Sequence, residues 1–400
     1  MEFYVKKNIV VGFCAYDNPN DKQAWSGIFY FMKKSLQKHY RKVIAVGYKN
    51  YKLEIFKRDF WRKTIRLYEI IFKKQVTHEK QEFDMGQFHE NLIEFAQINL
   101  VKEIKKNKYD LLFFPSGSFL LANLNTVLPT LYLSDSTAKL MVGYYPDFME
   151  LSDHSKKLCL GFEKEAINKA SKIIYASKWA ARSAIEDYNC QEEKINIIPF
   201  GANLEIVLSR DDVLLRRKSL SDSCILLFVG LDWIRKGGQI AFETMLDLNK
   251  RGINAELIIC GCTPPGGLRH DKLRVMGFLD KNNNKQMHRL ANFYMDAAFF
   301  IFPSRAECAG IACCEAAAYG LPVIATDTGG VSTYVGDRIN GRLLPLAAGS
   351  SAYAKIIEEI WKDKDLYINM CENSRDKYEK ELSWDVWGER VSEIIDTLVG

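Results

Sequence analysis

Short apolar runs rich in β-branched and aromatic residues alternate along this chain with amphipathic stretches of helical period. Alternation of this kind predicts parallel sheets whose strands are joined by crossover helices. In the first half, the predicted strands are Ile9–Cys14, Lys42–Gly47, Tyr109–Phe114, Thr130–Leu133, Lys172–Ala176 and Lys194–Pro199. In the second half, they are Cys224–Gly230, Ala255–Gly261, Leu273–Met276, Ala297–Phe302 and Pro322–Thr326. The pattern therefore predicts an α/β fold with two doubly wound parallel-sheet units.

A boundary between the two units is expected where proline and glycine interrupt the pattern, at Pro199-Phe200-Gly201-Ala202-Asn203. The length of 400 residues supports a division, because one hydrophobic core rarely serves so long a chain. We therefore expect one domain at 1–202 and a second at 203–380, followed by a helix at 381–400. Ligands of open parallel sheets bind at the carboxyl ends of the strands, so a cleft between the domains is the expected site.

The composition is that of a globular protein, because 48% of the residues are hydrophobic and 26% are charged. Lysine and arginine number 55 against 50 acidic residues, and the formal charge of +5 is too small to indicate a dedicated nucleic-acid-binding protein. No apolar run reaches the length of about 18 residues that a membrane-spanning helix requires. The N-terminus turns polar too early for a signal peptide, so a cytoplasmic protein is expected.

The ten cysteines also favour a reducing compartment, since no secretion signal accompanies them. No Cys-x-x-Cys motif occurs, and neither Cys260 with Cys262 nor Cys313 with Cys314 has paired histidines nearby at a zinc-like spacing. No metal site is therefore expected. Cys224 and Cys260 fall within apolar, strand-like runs, which predicts that they are small core residues.

The stretch 302–326 carries the clearest candidate chemistry. A buried strand is predicted to end at Pro303, a loop with Glu307 and Gly310 follows, and an alanine-rich helix then holds Glu315. Gly310 permits close approach of the backbone to a ligand, and unpaired N–H groups at the helix N-terminus suit a diphosphate. The two glutamates, eight residues apart, could hold two hydroxyl-bearing parts of one ligand. The alternative is a solvated Glu315 and a Glu307 that caps a loop.

This stretch resembles the family-4 retaining glycosyltransferases of the GT-B fold, whose signature is Glu-x7-Glu running into Glu-Ala-x-Ala-x-Gly-x-Pro-Val-Ile. Glu307 and Glu315 form the pair, and residues 315–324 follow the rest of the signature closely. Upstream, Gly230 followed by Arg235-Lys236-Gly237 is similar to the cationic turn of the family. Further similar segments are Lys194–Asn203, Ser177–Ala181, Met276–Leu279 and Trp25–Gly27. The resemblance covers nearly the whole chain and is strongest from about residue 172 to 345.

The resemblance implies a GT-B fold, in which two Rossmann-like domains face a cleft and the last helix, at 381–400, returns to the first domain. It implies a retaining hexosyltransferase of glycan biosynthesis, whose acceptor is a hydroxyl of a glycan or of a lipid-linked intermediate. The implied donor is a UDP-, GDP- or ADP-sugar, which is a substrate. The resemblance implies no cofactor, no metal and no nucleic-acid partner.

The roles of individual residues also follow from the resemblance. Arg235 and Lys236 would neutralise the charge that grows on the leaving diphosphate. Glu307 would hold and orient the donor sugar, with covalent catalysis as the minor alternative. Asp135, after a strand, would serve the acceptor, and a helix N-cap is the equal alternative. The other implied donor contacts are Glu315 to the ribose, the backbone of Gly310 and Ile311 to the sugar, Gly27 to the phosphates, and Gly261, Met276, Gly277 and Phe278 around the nucleotide.

Three positions depart from the family pattern. Leu231 stands where many relatives have arginine, Ala309 stands where phenylalanine is frequent, and the segment Ser332–Tyr334 lacks the usual glutamate. None of these changes removes a group that the chemistry requires, but together they weaken any assignment of the donor sugar.

A second feature is the basic stretch 55–76, which contains seven lysines and arginines and two acidic residues. Arg58, Arg62, Arg66 and Lys73 group on one helical face and apolar side chains on another, a pattern typical of a helix on an anionic membrane surface. This predicts a peripheral protein on the inner face of the membrane. An ordinary core-packing helix with a solvated basic side is the alternative, and a nucleic-acid contact is a weaker one.

Two other functions stay open from the sequence. One is a nucleotide-sugar epimerase on the same two-domain scaffold, against which the Glu-x7-Glu spacing argues. The other is a non-catalytic sugar-nucleotide sensor or membrane adaptor, which would bind a donor without turnover.

Overall fold

The computed structural model describes residues 6–47, 93–94, 96–149, 151–219 and 223–400. The basic stretch 55–76, with Arg58, Arg62, Arg66 and Lys73, lies outside the described residues, so its membrane contact stays a prediction. The chain divides into two compact units. The first contains the described residues of Met1–Tyr175, together with Ala180–Ile197 and Val391–Gly400. The second contains Ala176–Trp179 and the described residues of Ile198–Arg390.

The first unit is built on a six-stranded sheet. Its strands are β1 (Lys7–Cys14), β2 (Tyr40–Val46), β3 (Leu111–Pro115), β4 (Thr130–Ser134), β5 (Lys172–Tyr175) and β6 (Ile195–Ile197). They lie in the order β2-β1-β3-β4-β5-β6, and each described strand pair is parallel. The helices are α1 (Ile28–His39), residues 96–104, α2 (Ser118–Ala122), α3 (Ala138–Met141), α4 (Pro146–Met149), α5 (Asp153–Lys169) and most of α6 (Lys178–Tyr188), with single 3-10 turns at Ala24–Gly27 and Glu192–Lys194.

The second unit contains another six-stranded parallel sheet. Its strands are β7 (Cys224–Gly230), β8 (Ala255–Gly261), β9 (Leu273–Gly277), β10 (Phe299–Phe302), β11 (Val323–Thr326) and β12 (Gly341–Leu344). They lie in the order β12-β11-β10-β7-β8-β9. The helices are α7 (Arg210–Lys218), α8 (Gly238–Lys250), α9 (Asn284–Asp296), α10 (Ile311–Ala318), α11 (Val331–Tyr334), α12 (Ser350–Lys362), α13 (Lys364–Lys380) and the start of α14 (Trp384–Val399), with a 3-10 turn at Pro265–Gly267.

The strands read as continuous apolar runs because helices cover both faces of a parallel sheet. Every residue of β3, β10 and β11 is buried. In the second unit, Leu226 and Phe228 of β7 join Leu257 and Ile259 of β8 in one core, to which α8 contributes Met245. Full burial of an apolar side chain of this size stabilises the fold by about 1.5–3 kcal/mol. The core therefore fixes the sheet that carries the loops described below.

Several helices begin at a capping side chain. Ser152, Ser209, Asn283 and Asp363 each precede a helix, and each side-chain oxygen accepts a hydrogen bond from the backbone N–H three residues later. Such bonds satisfy N–H groups that the first helical turn leaves without a partner, and each typically contributes about 1 kcal/mol. The polar residue at the start of each helix thus sets where that helix begins.

The last helix, α14, begins in the second unit and ends in the first. At its start, the Trp384 indole stacks on Phe200 at 6.1 Å and donates a hydrogen bond to Asn203 at 2.9 Å. Near its end, the Tyr40 hydroxyl donates to the Ser392 carbonyl at 3.1 Å. Each end of the helix is therefore packed into the unit to which it belongs.

Each of the eleven predicted strands overlaps an observed one, so the prediction of two doubly wound parallel sheets is confirmed. Among the strands of the described residues, the sequence pattern missed only β12, an edge strand of four residues that starts with Gly341 and contains Arg342. So short a run with a glycine and a charge carries little strand signal.

Within the described ranges, no helix combines the length and the apolar character that crossing a bilayer requires.

Candidate functional site

The second sheet reverses its direction of growth between β7 and β10. From β7 the chain proceeds through β8 to β9, and it then returns to place β10 on the other side of β7. Open α/β sheets bind ligands at the carboxyl ends of two strands related in this way. Arg235 and Lys236 follow β7, and Glu307 follows β10. The topology thus brings these three predicted residues to the ligand-binding end of one sheet.

The two cations and the carboxylate are in direct contact. The Lys236 ammonium forms an ion pair and hydrogen bond with Oε2 of Glu307. The guanidinium of Arg235 lies 3.7 Å from the same oxygen and donates to the Ala306 carbonyl at 3.0 Å. Only 8% of the Glu307 side chain is exposed, so its charge is balanced by these cations rather than by water. The two cations therefore explain why a carboxylate is buried at this position, without a loop-capping role for Glu307.

A glycine holds the cationic turn against β10. Gly237 has a φ of +74°, and a Cβ atom there would collide with the carbonyl oxygen of Pro303. The N–H of Arg305 also donates to the carbonyl of Arg235 at 2.7 Å. Because L-residues rarely adopt this φ and have no room here, glycine is required at this position. The turn that presents Lys236 is consequently fixed to the loop that presents the carboxylate.

Two further groups orient the cations. The carboxylate of Asp232 accepts a hydrogen bond from the backbone N–H of Arg235 at 2.9 Å. The Lys236 ammonium lies 4.8 Å from the ring centroid of Phe302, the last residue of β10. A cation over an aromatic face is attracted by the ring quadrupole. Lys236 is thus held between an aromatic ring and a carboxylate.

Glu315, in the second turn of α10, is almost completely buried, with 1% of its surface exposed. The Lys281 ammonium pairs with its Oε1, and the Tyr294 hydroxyl donates to its Oε2 at 2.9 Å. Burial, followed by the charge of Glu315, raises the pKa of Tyr294 well above its ordinary value, so this hydroxyl stays a donor. The alternative of a solvated Glu315 is therefore wrong.

The start of α10 differs in detail from what was expected. Gly310 has φ −84° and ψ 63°, an inverse γ-turn in which the Ile311 N–H donates to the Ala309 carbonyl at 3.1 Å. The Ile311 N–H, expected to reach a sugar, is thus used within the loop in this structure.

Burial raises the pKa of the Cys313 and Cys314 thiols well above the usual range, so neither supplies a thiolate at neutral pH.

The predicted nucleotide contacts lie at the ends of β8 and β9. Gly261 pairs with Gly230 of β7, and at its φ of +109° a Cβ would collide with the Gly230 carbonyl. The backbone alone therefore requires a glycine there. Met276 and Gly277 end β9, where Gly277 has a φ of +68° and open space around it, and the next side chain, Phe278, is 54% exposed. An exposed ring at this edge is available to a planar ligand.

Two predicted residues, Gly27 and Asp135, belong to the first unit. Gly27 precedes α1 with a φ of +90°. Asp135 follows β4 at a half-buried position. The interpretation of Asp135 as a helix cap is wrong, because Thr137 caps α3 by accepting a hydrogen bond from the Leu140 N–H at 3.4 Å. The cap is thus filled by another residue, and the acceptor-side role of Asp135 stays a prediction.

A cavity of about 520 Å³ lies elsewhere in the first unit, at the amino end of β4. The loop 124–130 forms most of its wall. Its one charged lining residue, Lys169, donates to the carbonyls of Ala122 and Leu124. Ligands of parallel sheets bind at the opposite, carboxyl end. This cavity is therefore not the candidate site, despite its size.

The family model of the glycosyl transferases group 1 matches residues 214–377. That range contains Arg235, Lys236, Glu307 and Glu315. It also contains β7 and β10, the two strands at the switch point where the sheet reverses its direction of growth. Residues 214–377, called the group 1 segment from here on, are similar to the glycosyl transferases group 1 family. The predicted resemblance is confirmed at this level, whereas its finer assignment to family 4 is not addressed by the match.

The chain also matches curated proteins, each over only part of its length. A D-inositol 3-phosphate glycosyltransferase of Nocardiopsis dassonvillei is 29% identical over 220 residues, which cover 50% of this chain and 51% of that protein. The chain spans about half of the length of such relatives, 51% to 62% of the first three.

Several solved structures match over nearly the whole chain. WaaG, a glycosyltransferase involved in lipopolysaccharide biosynthesis, is 15% identical with a TM-score of 0.59, and the match covers 96% of this chain and 99% of that one. HepE of Anabaena, solved in complex with UDP and glucose, is 14% identical with a TM-score of 0.60, covering 98% and 100%. At these identities the likeness establishes the fold class, which is that of the GT-B glycosyltransferases.

The structure shows the surroundings of two positions at which the sequence departs from the family pattern. The Leu231 side chain, where many relatives have arginine, is 68% exposed in the turn after β7. Tyr334, in the segment without the usual glutamate, is buried. Its hydroxyl donates to the Ala176 carbonyl at 3.1 Å and accepts from the Phe200 N–H at 3.4 Å. This position therefore serves two backbone contacts within the second unit.

Sequence reasoning missed three residues of the group 1 site, namely Lys281, Tyr294 and Phe302. Phe302 was expected only as the end of a strand, and Tyr294 lies on α9, far from either motif in sequence. Lys281 follows the Gly277 turn by four residues, and only that proximity could have indicated it.

Among the described residues, no group of three or more His, Cys, Asp or Glu side chains could hold a metal ion.

Proposed function

We propose that this chain is a retaining glycosyltransferase that moves a hexose-type sugar from a nucleotide-sugar donor to a hydroxyl of a glycan or lipid-linked acceptor. The observation that carries the proposal is the contact of Lys236 and Arg235 with Glu307 at the switch point of the second sheet. The similarity of residues 214–377 to the glycosyl transferases group 1 family supports it and does not favour the epimerase alternative.

The chemistry of the leaving group explains the two cations. As the bond between the anomeric carbon and the phosphate oxygen breaks, negative charge grows on the diphosphate. Arg235 and Lys236 can neutralise that charge without a metal, and each such donor typically contributes a few kcal/mol to the transition state. Lys236 already carries a carboxylate partner in Glu307, so the same ammonium can bridge the sugar side and the phosphate side of a donor.

Retention of configuration is proposed to follow from a front-face displacement. The acceptor oxygen bonds to the anomeric carbon on the face that the phosphate leaves, and the acceptor proton passes to the departing phosphate oxygen. Glu307 then orients the sugar hydroxyls and stabilises the positive charge of the oxocarbenium-like transition state. A covalent glycosyl–Glu307 intermediate is the minor alternative.

UDP-glucose is the first donor to test, because HepE of Anabaena was solved with UDP and glucose. A lipid-linked acceptor is supported by WaaG, which is involved in lipopolysaccharide biosynthesis. Both choices come from proteins of the same fold class and are proposals for this chain.

Turnover of UDP-glucose, with and without candidate acceptors, tests the proposal. We expect Glu307→Ala and Lys236→Ala each to lower kcat/KM by at least about tenfold, the least expected from the loss of one transition-state contact. The matched control is Lys362→Ala, which removes an exposed lysine from the surface ion pair with Glu358. Activity should also persist in EDTA, since the cations are side chains.

Three results would contradict parts of this proposal. Near-wild-type turnover in both site variants would refute the site. Hydrolysis or transfer that stops in EDTA would refute metal independence. Tight donor binding without turnover for any acceptor would instead favour the non-catalytic sensor.

A further inference from the structure

Lys281 is a charged residue of the candidate site that neither the sequence motifs nor the proposed chemistry assigns. It lies in the turn between β9 and α9, and its ammonium pairs with Oε1 of Glu315 on α10. The two partners differ in burial, since 22% of the Lys281 side chain is exposed but only 2% of the Glu315 side chain. The lysine is therefore the more exposed partner of a carboxylate that protein otherwise encloses.

The turn that carries Lys281 is itself well fixed. The N–H of Asp280 donates to the Gln286 side chain at 2.7 Å, and the N–H of Asn282 donates to the Asp280 carboxylate at 2.9 Å. Asn283 then caps α9. Because this turn is already ordered, the pairing costs the rotamer entropy of the lysine side chain but no further backbone entropy. The ion pair links the turn after Gly277 to the helix of Glu315.

Burial of a carboxylate is unfavourable unless protein partners replace the water that it loses. For Glu315 these partners are the Lys281 ammonium and the Tyr294 hydroxyl, one on each oxygen. A carboxylate offers about four acceptor positions, so two remain after these bonds. A vicinal diol has two hydroxyl donors, and the two remaining acceptor positions can accept both.

We propose that Lys281 is a positioning residue for the ribose of the nucleotide, because its ion pair with Oε1 fixes the orientation of the Glu315 carboxylate on α10. This inference rests on the proposed function, in which Glu315 contacts the ribose. It predicts that Lys281 governs discrimination between ribose and deoxyribose, a step remote from the reacting carbon. Loss of Lys281 should therefore weaken donor binding while leaving the chemical step nearly unchanged.

The test compares Lys281→Met, Lys281→Arg and the control Lys285→Met, an exposed lysine at the start of the neighbouring α9. Dissociation constants for UDP and for 2′,3′-dideoxy-UDP are measured by calorimetry, and kcat and KM for UDP-glucose by turnover. We expect Lys281→Met to weaken UDP binding by about tenfold or more, the size of one charge-assisted contact, and to leave dideoxy-UDP binding nearly unchanged. KM should rise while kcat stays within about twofold.

The conservative variant separates positioning from folding. Lys281→Arg keeps the cation and should restore most of the preference for UDP over dideoxy-UDP. Urea unfolding of each variant reports whether the fold survives. Equal weakening of both nucleotides, or an unchanged UDP affinity in Lys281→Met, would overturn the role of Lys281 while leaving the proposed function intact. A wild-type chain that binds neither nucleotide would overturn the proposed UDP donor as well.

Discussion

Glu163, on α5 of the first unit, is a buried carboxyl whose side-chain hydrogen-bond partners are the neutral hydroxyls of Tyr132 and Ser118. The Tyr132 hydroxyl lies 3.1 Å from each of its oxygens. No lysine or arginine of the described residues forms an ion pair with it. Burial raises the pKa of Glu163 to about 7, against an opposing effect of hydrogen bonds from Tyr132 and Ser118. The carboxyl is therefore protonated in the folded chain at mildly acidic pH.

This shift predicts a pH dependence of stability. The unfolded chain releases the Glu163 proton near its ordinary pKa of 4.5, whereas the folded chain holds it to about 7. The folded state thus binds more protons in that window, and stability falls as the pH rises through it, by up to about 1.4 kcal/mol per pH unit. Glu163→Gln removes the titration, so its unfolding free energy relative to wild type should rise between pH 5 and pH 8.

Urea unfolding at a series of pH values measures this difference. Glu165→Gln, on the solvent side of the same helix, is the matched control and should show the wild-type pH dependence. If Glu163→Gln followed the wild-type curve in parallel at every pH, the carboxyl would be ionised in the folded chain, contrary to this reasoning.

At the scale of elements, the turn from β7 to α8 decides whether the cations meet the carboxylate. Gly237 combines a φ of +74° with a close approach to Pro303, while Gly252 has a φ of +82° and open space. Gly→Ala at either position incurs the backbone strain, of order 1–3 kcal/mol, but only Gly237→Ala adds a collision. We expect Gly237→Ala to be the less stable variant and to lose turnover of UDP-glucose, since the turn must move away from β10.

Gly252→Ala is thus the control, and its turnover should match wild type. Denaturation and activity measured on both variants separate strain from displacement of the site. Equal stability and equal activity in the two variants would mean that the turn after β7 can shift without consequence for Lys236.

The elements that could be predicted were those whose local pattern agrees with their tertiary environment. Strands such as Cys224–Gly230 and Ala255–Gly261 are continuous apolar runs because both sheet faces are covered, and their bounds match the prediction. Arg235, Lys236 and Glu307 could be predicted because they lie in motifs that resemble a known family, in the loops that follow β7 and β10. Lys281 and Tyr294 could not, since they reach Glu315 through side chains whose direction depends on how α9 and α10 pack.

At the scale of the whole molecule, the group 1 segment occupies 214–377 and lies within the second of the two compact units. A ligand that binds only the folded state stabilises it by an amount set by its concentration relative to its dissociation constant. The nucleotide diphosphate is the part of the donor that Arg235, Lys236 and Glu315 are proposed to hold. Binding of a nucleoside diphosphate without its sugar is therefore expected to stabilise the folded chain, even in the absence of an acceptor.

A thermal-unfolding panel of UDP, GDP, ADP and CMP tests this linkage. One base, expected to be uracil, should raise the melting temperature, and at a hundredfold excess over Kd the stabilisation is about 2.7 kcal/mol. Uridine, which lacks the diphosphate, should give a smaller shift, and Lys236→Ala should reduce the shift with UDP but not with uridine. The reason is that Lys236 offers a point charge suited to phosphate oxygens and no group suited to a base. A flat response to every nucleotide would show that no donor site forms at the carboxyl end of the second sheet.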